Sequence, residues 1–399
     1  MQESGPSLLS PIDVRGVTCR NRIVISPMQQ YAGTPGGEPT DWHLVHLSKL
    51  AIGGAGLVFA EAMAIAPEAR LTWGDVGIWD DRFVPGLARL ADAVASHGAV
   101  PGVQLNHAGR KASVQRPWHG YDPLTGADHA ARGEAPWQTV SASALPANPG
   151  WPTPRAMGID DIRRSLDDFA AAARRARQAG FRAMNVHGAH GYLIHSFLSP
   201  LANARDDDYG GALENRMRYA LEVADAVRSE WPAELPFFYR LSCVDDGEGG
   251  WTLDDTVALA SAFARRGVDV VDCSSGGLGR RTTTALVRRE PGYQVPYAAR
   301  VRRETGMPTM AVGLIRTAAH AEAIVAGGQA DFVAIGREAL FNPNWPAQAA
   351  IALAGPDRYD DWPPAHGWWL KARSRTLAVS GLPEFDGPWT PGEPATPDT

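Results

Sequence analysis

The chain has 399 residues, 44% of them hydrophobic and 21% charged, an ordinary globular balance with ample material for a core. Lys and Arg number 38 against 44 Asp and Glu, a formal charge of −6 with no basic block. That argues against nucleic acid or an anionic membrane surface as partner.

Cys19, Cys243 and Cys273 are an odd set without C-x-x-C spacing, which disfavours a disulfide framework or a cysteine-rich zinc site. The first residues, "MQESGPSLLSPIDV", lack a basic start followed by an apolar run. No stretch of about eighteen apolar residues is present to span a bilayer. A soluble, cytoplasmic protein is expected.

In chain order, eight short apolar runs stand out: "RIVISP" (22–27), "GLVFAEA" (56–62), "VPGVQLN" (100–106), "RAMNVHG" (182–188), "PFFYRLS" (236–242), "VDVVDCSS" (268–275), "MPTMAVG" (307–313) and "ADFVAIGR" (330–337). They are continuously apolar rather than alternating, the pattern of parallel strands covered on both faces. Between them lie segments of helical period, from "WHLVHLSKLAIGG" and "DRFVPGLARLADAVASHG" through "DDIRRSLDDFAAAARRARQAG" to "NPNWPAQAAIALAG". Several end at Gly, a common helix stop, and the third opens with acids and closes with bases, as the helix dipole favours.

Eight strand–helix units in one chain predict a single-domain (β/α)8 TIM barrel. A doubly wound open sheet usually carries G-x-G-x-x-G after an early strand, and none is found. The barrel is expected over residues 8–370. A long excursion after strand 3, residues 111–158, is rich in Pro, Gly and Trp without helical or strand period. It reads either as a wall over the site or as a packed surface loop. Residues 371–399 are expected to form a partly disordered tail, ending in the Pro-rich, acidic "PGEPATPDT".

Barrel chemistry sits at the C-terminal ends of the strands. Those positions are Ser26 and Pro27, Glu61 and Ala62, Gln104, Asn106 and His107, His187 and His190, Arg240, Ser274 and Ser275, Gly313, and Gly336 with Arg337. "VHGAHGY" (186–192) admits three readings: a metal site, two buried structural histidines, or a polar clamp for a substrate oxygen with Tyr192 as acid. The nearby cations Arg240 and Arg337 weigh against a dication, so no metal is expected. Two ring N–H groups converging on one oxygen would polarise a carbonyl. Gly313, Gly336 and Arg337, after strands 7 and 8, lie where barrels commonly bind phosphate.

Taken together, "RNRIVISPM", "GVQLNHAGRKA", "HGAHGYLIHSFLSPLANARDDDYGGALENRMR", "VDVVDCSSGG", "GYQVPYA" and "AIGRE" resemble the Old Yellow Enzyme family of FMN-dependent ene-reductases. The similarity is greatest to the bacterial branch of xenobiotic reductases and thermophilic-like enzymes, and it runs over nearly the whole chain. The resemblance implies FMN as cofactor and NADPH or NADH as reductant. Ser26, Pro27, Met28, Gln29 and Ala62 would line the flavin, with Gln104 on its pyrimidine edge and Arg240 beside N1–C2=O. Gly313, Gly336 and Arg337 would hold its phosphate. His187 and His190 would bind the oxygen of a small-molecule enone, with Tyr31 as a second phenol in the pocket. Hydride would pass from flavin N5 to the β-carbon, and Tyr192 would protonate the α-carbon.

Four positions depart from the family's usual pattern. Gln29 stands where this branch usually has Cys. Gly188 replaces a frequent Ala, expected to enlarge the pocket slightly. Trp368 and Trp369 occupy the region from which some relatives send a residue into a neighbouring subunit's site, consistent with a homodimer or homotetramer. The alternative reading is a flavoenzyme of the same fold running desaturation, oxidase chemistry, nitro or nitrate-ester reduction, or a specialised biosynthetic redox step.

Overall fold

The computed structural model describes residues 5–279 and 289–384. All eight apolar runs are parallel strands: β1 (Ile23–Ile25), β2 (Leu57–Ala64), β3 (Val100–Asn106), β4 (Ala183–Gly188), β5 (Phe237–Ser242), β6 (Val270–Ser274), β7 (Thr309–Ala311) and β8 (Phe332–Ile335). They close in sequence order into a barrel, with β8 pairing β1 through Ile335 and Ile25. One irregularity, a register shift between Phe59 and Ala62 in β2, lies beside β3.

The covering helices are α1 (Asp41–Ile52), α2 (Val84–Ala95), α3 (Ile159–Gln178), α4 (Leu213–Glu230), α5 (Leu253–Ala264), α6 (Val295–Thr305), α7 (Ala318–Ala326) and α8 (Trp345–Ala354). Their ends follow local chemistry. Thr252 caps α5 by accepting from Asp255 N–H while the Asp255 carboxylate accepts from Thr252 N–H. α3 carries Asp160 and Asp161 in its first turn and Arg175 and Arg177 in its last. α6 stops at Gly306 in the left-handed conformation.

Side chains alternate along each strand. One set faces the helices and joins the large outer core; the other fills the barrel. At the N-terminal end this filling is apolar: Val24, Leu57, Phe59, Phe238, Met310 and Phe332 pack together. An antiparallel hairpin, Ile12–Val14 with Val17–Cys19, closes that end with Val14, Val17 and Cys19.

The excursion carries short regular elements. It contains a short helix, Gly126–Arg132, whose first turn is fixed by Asp128 accepting from Thr125 N–H and Oγ–H, both at 2.8 Å. It also contains a short parallel pairing of Val140–Ser141 with Arg155–Ala156. The barrel–tail boundary at 370/371 falls inside a helix, α9 (Pro364–Val379), which packs on the Pro356–Asp361 turn. The segment 391–399, expected to be disordered, lies outside the described residues. Among the described residues, no helix is long and apolar enough to cross a membrane.

Candidate active site at the barrel mouth

Moving up the barrel interior, the filling turns from apolar to polar within one layer. Gln104 Nε2 donates to Asn185 Oδ1 (3.1 Å), and Asn185 Nδ2 donates to Asp272 Oδ2 (3.2 Å). Arg240 lies 3.6 Å from the same carboxylate and donates to Ser26 Oγ at 3.0 Å. Five strands thus contribute to one buried polar chain. Burial pushes the Asp272 carboxyl up, opposed by Arg240. Among the described residues, Arg240 Nε, Asn106 Oδ1 and Asp272 Oδ1 are buried without a hydrogen-bond partner. Buried polar groups are seldom left so. Unmet donors and acceptors in one ring of side chains fit a planar heterocycle carrying both acceptor and donor edges.

Around this floor stand the other strand ends. Gln29 spends one amide hydrogen on the Ala62 carbonyl (3.2 Å), tying the end of β1 to β2. A Cβ on Gly336 would come 3.8 Å from Met28 Sδ and 4.0 Å from Ser26 Cβ, so these three residues share one corner. Gly313 sits at φ +122 in the loop after β7. Arg337 is exposed and begins a short helix, Arg337–Phe341, straight after Gly336.

His187 is the last residue but one of β4, in register with Arg240 on β5. Its Nδ1 accepts from Ala189 N–H at 3.2 Å, which puts its hydrogen on Nε2. That Nε2 lies 3.3 Å from His190 Nδ1. Among the described residues, His190 is one of six non-glycine residues with positive φ (+59), and its N–H donates to Ser242 Oγ at 3.0 Å. The strained turn nests against residues 276–278. A Cβ on Gly191 would come 2.6 Å from the carbonyls of Gly277 and Leu278, so only glycine fits there. A buried pair fastens the turn from behind: Gly191 N–H donates to His195 Nδ1 (2.8 Å), and His195 Nε2 faces Asp245 Oδ1 at 2.9 Å. Burial first, then Arg240, holds both His187 and His190 well below the usual imidazole value, so both are neutral.

Tyr192 follows with its ring 4.8 Å from that of His187. Burial pushes its phenol well above the usual value of 10, which keeps the proton on the oxygen. Tyr31 packs in the same cluster, itself at φ +55. The structure therefore gathers His187, His190, Tyr192, Tyr31, Ser26, Gln104 and Arg240 at one end of the barrel. Trp368 and Trp369 are not part of this group within one chain. They lie on α9, 61% and 68% exposed, edge to face with each other at 4.6 Å.

Sequence reasoning missed two groups. Tyr121, from the excursion, hydrogen-bonds the side chains of both Tyr31 and Tyr192 and makes a cluster of three phenols. The excursion is folded back to present it: Gln115 N–H donates to Asp122 O and Leu124 N–H to Ser113 O, both at 2.8 Å. Lys111 donates to the carbonyls of His190 (3.0 Å) and Gly277 (2.8 Å), and burial brings its ammonium down to about 8. Lys111 lay within a quoted motif; Tyr121 had no local signal.

Gly188 does not enlarge the pocket. A Cβ there would meet Tyr239 Cε1 at 2.6 Å, on the helix side of the wall. Strand alternation turns residue 188 outward once residue 187 points in. Among the described residues no group of three or more His, Cys, Asp or Glu side chains is placed to hold a metal ion.

A parallel barrel with a polar floor, two neutral imidazoles and a protonated phenol at its C-terminal mouth has the form of an α/β-barrel enzyme site for a small molecule. Comparison with known proteins agrees. The NADH:flavin oxidoreductase / NADH oxidase family profile matches residues 7–354. An NADPH dehydrogenase from Geobacillus thermodenitrificans (strain NG80-2) is 42% identical over 366 residues, 90% of this chain and 98% of that protein. An NADPH dehydrogenase from Halalkalibacterium halodurans is 38% identical over 358 residues, covering 88% and 98%.

Among solved structures, morphinone reductase superposes with a TM-score of 0.71 at 27% identity, covering 89% of this chain and 92% of its own. An Old Yellow Enzyme homologue from Zymomonas mobilis does so at 0.69 and 27%, covering 86% and 92%. The chain belongs to the NADH:flavin oxidoreductase (Old Yellow Enzyme) family, on its bacterial side. It is an oxidoreductase of NADPH dehydrogenase type, and FMN and NAD(P)H are the cofactors of that family.

Proposed function

We propose that this protein is an FMN-dependent ene-reductase that uses NADPH or NADH to saturate activated C=C bonds in α,β-unsaturated carbonyl compounds. The observation that carries this reading is the approach of His187 Nε2 and His190 Nδ1 to 3.3 Å, beside a Tyr192 phenol that retains its proton.

On this reading Ser26, Pro27, Met28, Gln29 and Ala62 hold the flavin ring, and Gln104 binds its pyrimidine edge. Gly313, Gly336 and Arg337 take the phosphate. Arg240, with its unpartnered Nε, supplies a buried positive charge to the bound ring. FMN, when bound, would supply the redox chemistry, a hydride relay between nicotinamide and an activated C=C bond. His187 and His190 bind the carbonyl oxygen and draw electron density toward it. Tyr192 delivers its proton to the α-carbon, and Tyr31 bounds the pocket. The exposed Trp368–Trp369 pair supports assembly into a homodimer or homotetramer.

A second reading keeps the fold and the flavin but assigns another substrate: desaturation, oxidase chemistry, nitro or nitrate-ester reduction, or a biosynthetic redox step. Gln29 favours it, because an amide bonded to Ala62 O stands where the thiol of relatives would be. Anaerobic stopped-flow mixing separates the two. NADPH should bleach the flavin and cyclohexenone should restore its absorbance; bleaching without recovery overturns the first reading. Tyr192→Phe should slow the recovery alone. Equal slowing of both phases removes the proton-donor role.

A further inference from the structure

Two motifs remain without a role once the site is assembled: the serines of "VDCSSGG" and the glutamine of "GYQVPYA". The fold brings them together behind His190. His190 Nε2 lies 2.7 Å from Ser274 Oγ, at the end of β6. Gln294, just before α6, is buried against Ser274 and Ser275.

The hydrogen count at this junction decides which nitrogen of His190 carries the proton. With the Gln294 amide nitrogen toward the Val312 carbonyl (3.3 Å), its oxygen receives both Ser275 N–H and Ser275 Oγ, each at 2.8 Å. Those two donors fill its two lone-pair directions. Ser274, farther off at 3.2 Å, is left to place its hydrogen on the nearer acceptor, His190 Nε2. Turning the amide round would set its NH2 group on Ser274 Oγ at 3.2 Å, and the serine hydrogen would again go to His190. Both orientations give the same result.

We infer that Ser274, held by Gln294, is the positioning residue that keeps His190 in the tautomer with hydrogen on Nδ1, so that His190 and His187 both present N–H groups to one substrate oxygen. His187 is already fixed with hydrogen on Nε2 by the Ala189 N–H. Two N–H groups this close, with the nitrogens 3.3 Å apart, are a mismatch alone and a match once one acceptor oxygen sits to the side of the pair within reach of both. The pair is then a preformed two-donor site whose demand is met only by an acceptor. Without the serine hydrogen, His190 would be free to accept from His187 instead, and the clamp would offer one donor.

This inference rests on the carbonyl-binding role proposed above, and its test reads the proton without requiring turnover. Holoprotein labelled with ¹⁵N-histidine is titrated with cyclohexanone, which has the carbonyl but no C=C bond. Nitrogen chemical shifts then report the tautomer of each ring. Wild type should show His190 with hydrogen on Nδ1. Ser274→Ala should move it toward the Nε2 form and weaken cyclohexanone binding roughly tenfold, the loss of one donor. Ser274→Thr, which keeps the hydroxyl, should restore both.

Hydrogen on Nε2 of His190 in the wild type, or an unchanged tautomer in Ser274→Ala, overturns the inference. Enone turnover is scored separately. A protein that shows the stated tautomers and binds the ketone, yet never oxidises its flavin with enone, removes the ene-reductase reading and leaves this assignment standing.

Discussion

The two ends of this barrel are built from the same strands and solve opposite problems. At the N-terminal end, Phe59, Phe238 and Phe332 meet within about one ring of each other, 5.4 and 5.7 Å between centroids, under a hairpin lid. Two residues further along the same strands, Phe238 gives way to Arg240 and Val270 to Asp272. The lower layer needs only volume and shape. The upper one needs partners for every polar atom, and it leaves several unmet. Stability is concentrated below, and demand for a ligand above.

The sharpest way to break this comparison is a matched pair of substitutions. Phe238→Ala and Arg240→Met should each lower the free energy of unfolding by about 3–5 kcal/mol, the first by opening a core cavity and the second by stranding the buried Asp272. Only Arg240→Met should also strip the purified protein of flavin, read from its visible absorbance. Loss of flavin in folded Phe238→Ala would erase the distinction between the ends.

Next in size is Gly188→Ala, which restores a residue frequent in relatives. Its methyl group meets the Tyr239 ring, which is fully buried and stacked on Phe263 at 4.2 Å. A loss of about 1–3 kcal/mol in stability is expected from overpacking, with substrate KM unchanged. A change in KM without a change in melting would return this position to the pocket.

Tyr121→Phe should have a smaller effect, about 1 kcal/mol or some fivefold, confined to flavin reoxidation by enone, because it removes one hydrogen bond from Tyr192. Equal slowing of flavin reduction by NADPH would deny Tyr121 its link to the proton donor.

The remaining effect, which depends on pH, concerns Lys111. Its folded-state value of about 8 lies below the usual 10.5, so between those values the unfolded chain holds a proton that the folded chain has released. Lys111 therefore adds stability as pH rises through that window. The stability difference between wild type and Lys111→Met should grow from pH 7.5 to 9.5; a flat difference would mean that the ammonium is not desolvated.

Legibility in the sequence followed the same division. All eight strands could be read because double-sided burial leaves continuous apolar runs, and Gly, Thr and Asp marked the helix ends. His187, His190, Tyr192, Gln104 and Arg240 were accessible because strand ends carry the polar residues. Asn185 and Asp272 were not; they become informative only once the register sets them beside Gln104 and Arg240. Tyr121 lies 71 positions from Tyr192 in a segment without periodicity, and only tertiary folding joins them. The outward turn of Gly188 required the actual wall it faces. The boundary expected at 370 falls within α9, whose sequence carries no stop signal there.

The doubling back of residues 113–124 has one more consequence. Its cross-links, Gln115 to Asp122 and Ser113 to Leu124, lie within the segment itself, and the short helix that follows is capped by its own Thr125 and Asp128. The tip therefore holds its own shape, while Val114 N–H to Leu71 O (3.0 Å) and Arg116 to Tyr31 O (3.1 Å) fasten it to the loops of the barrel mouth. Transplanting a different tip would recast the ceiling above the imidazoles, and with it the range of accepted molecules, while the eight-stranded frame beneath stayed as it is.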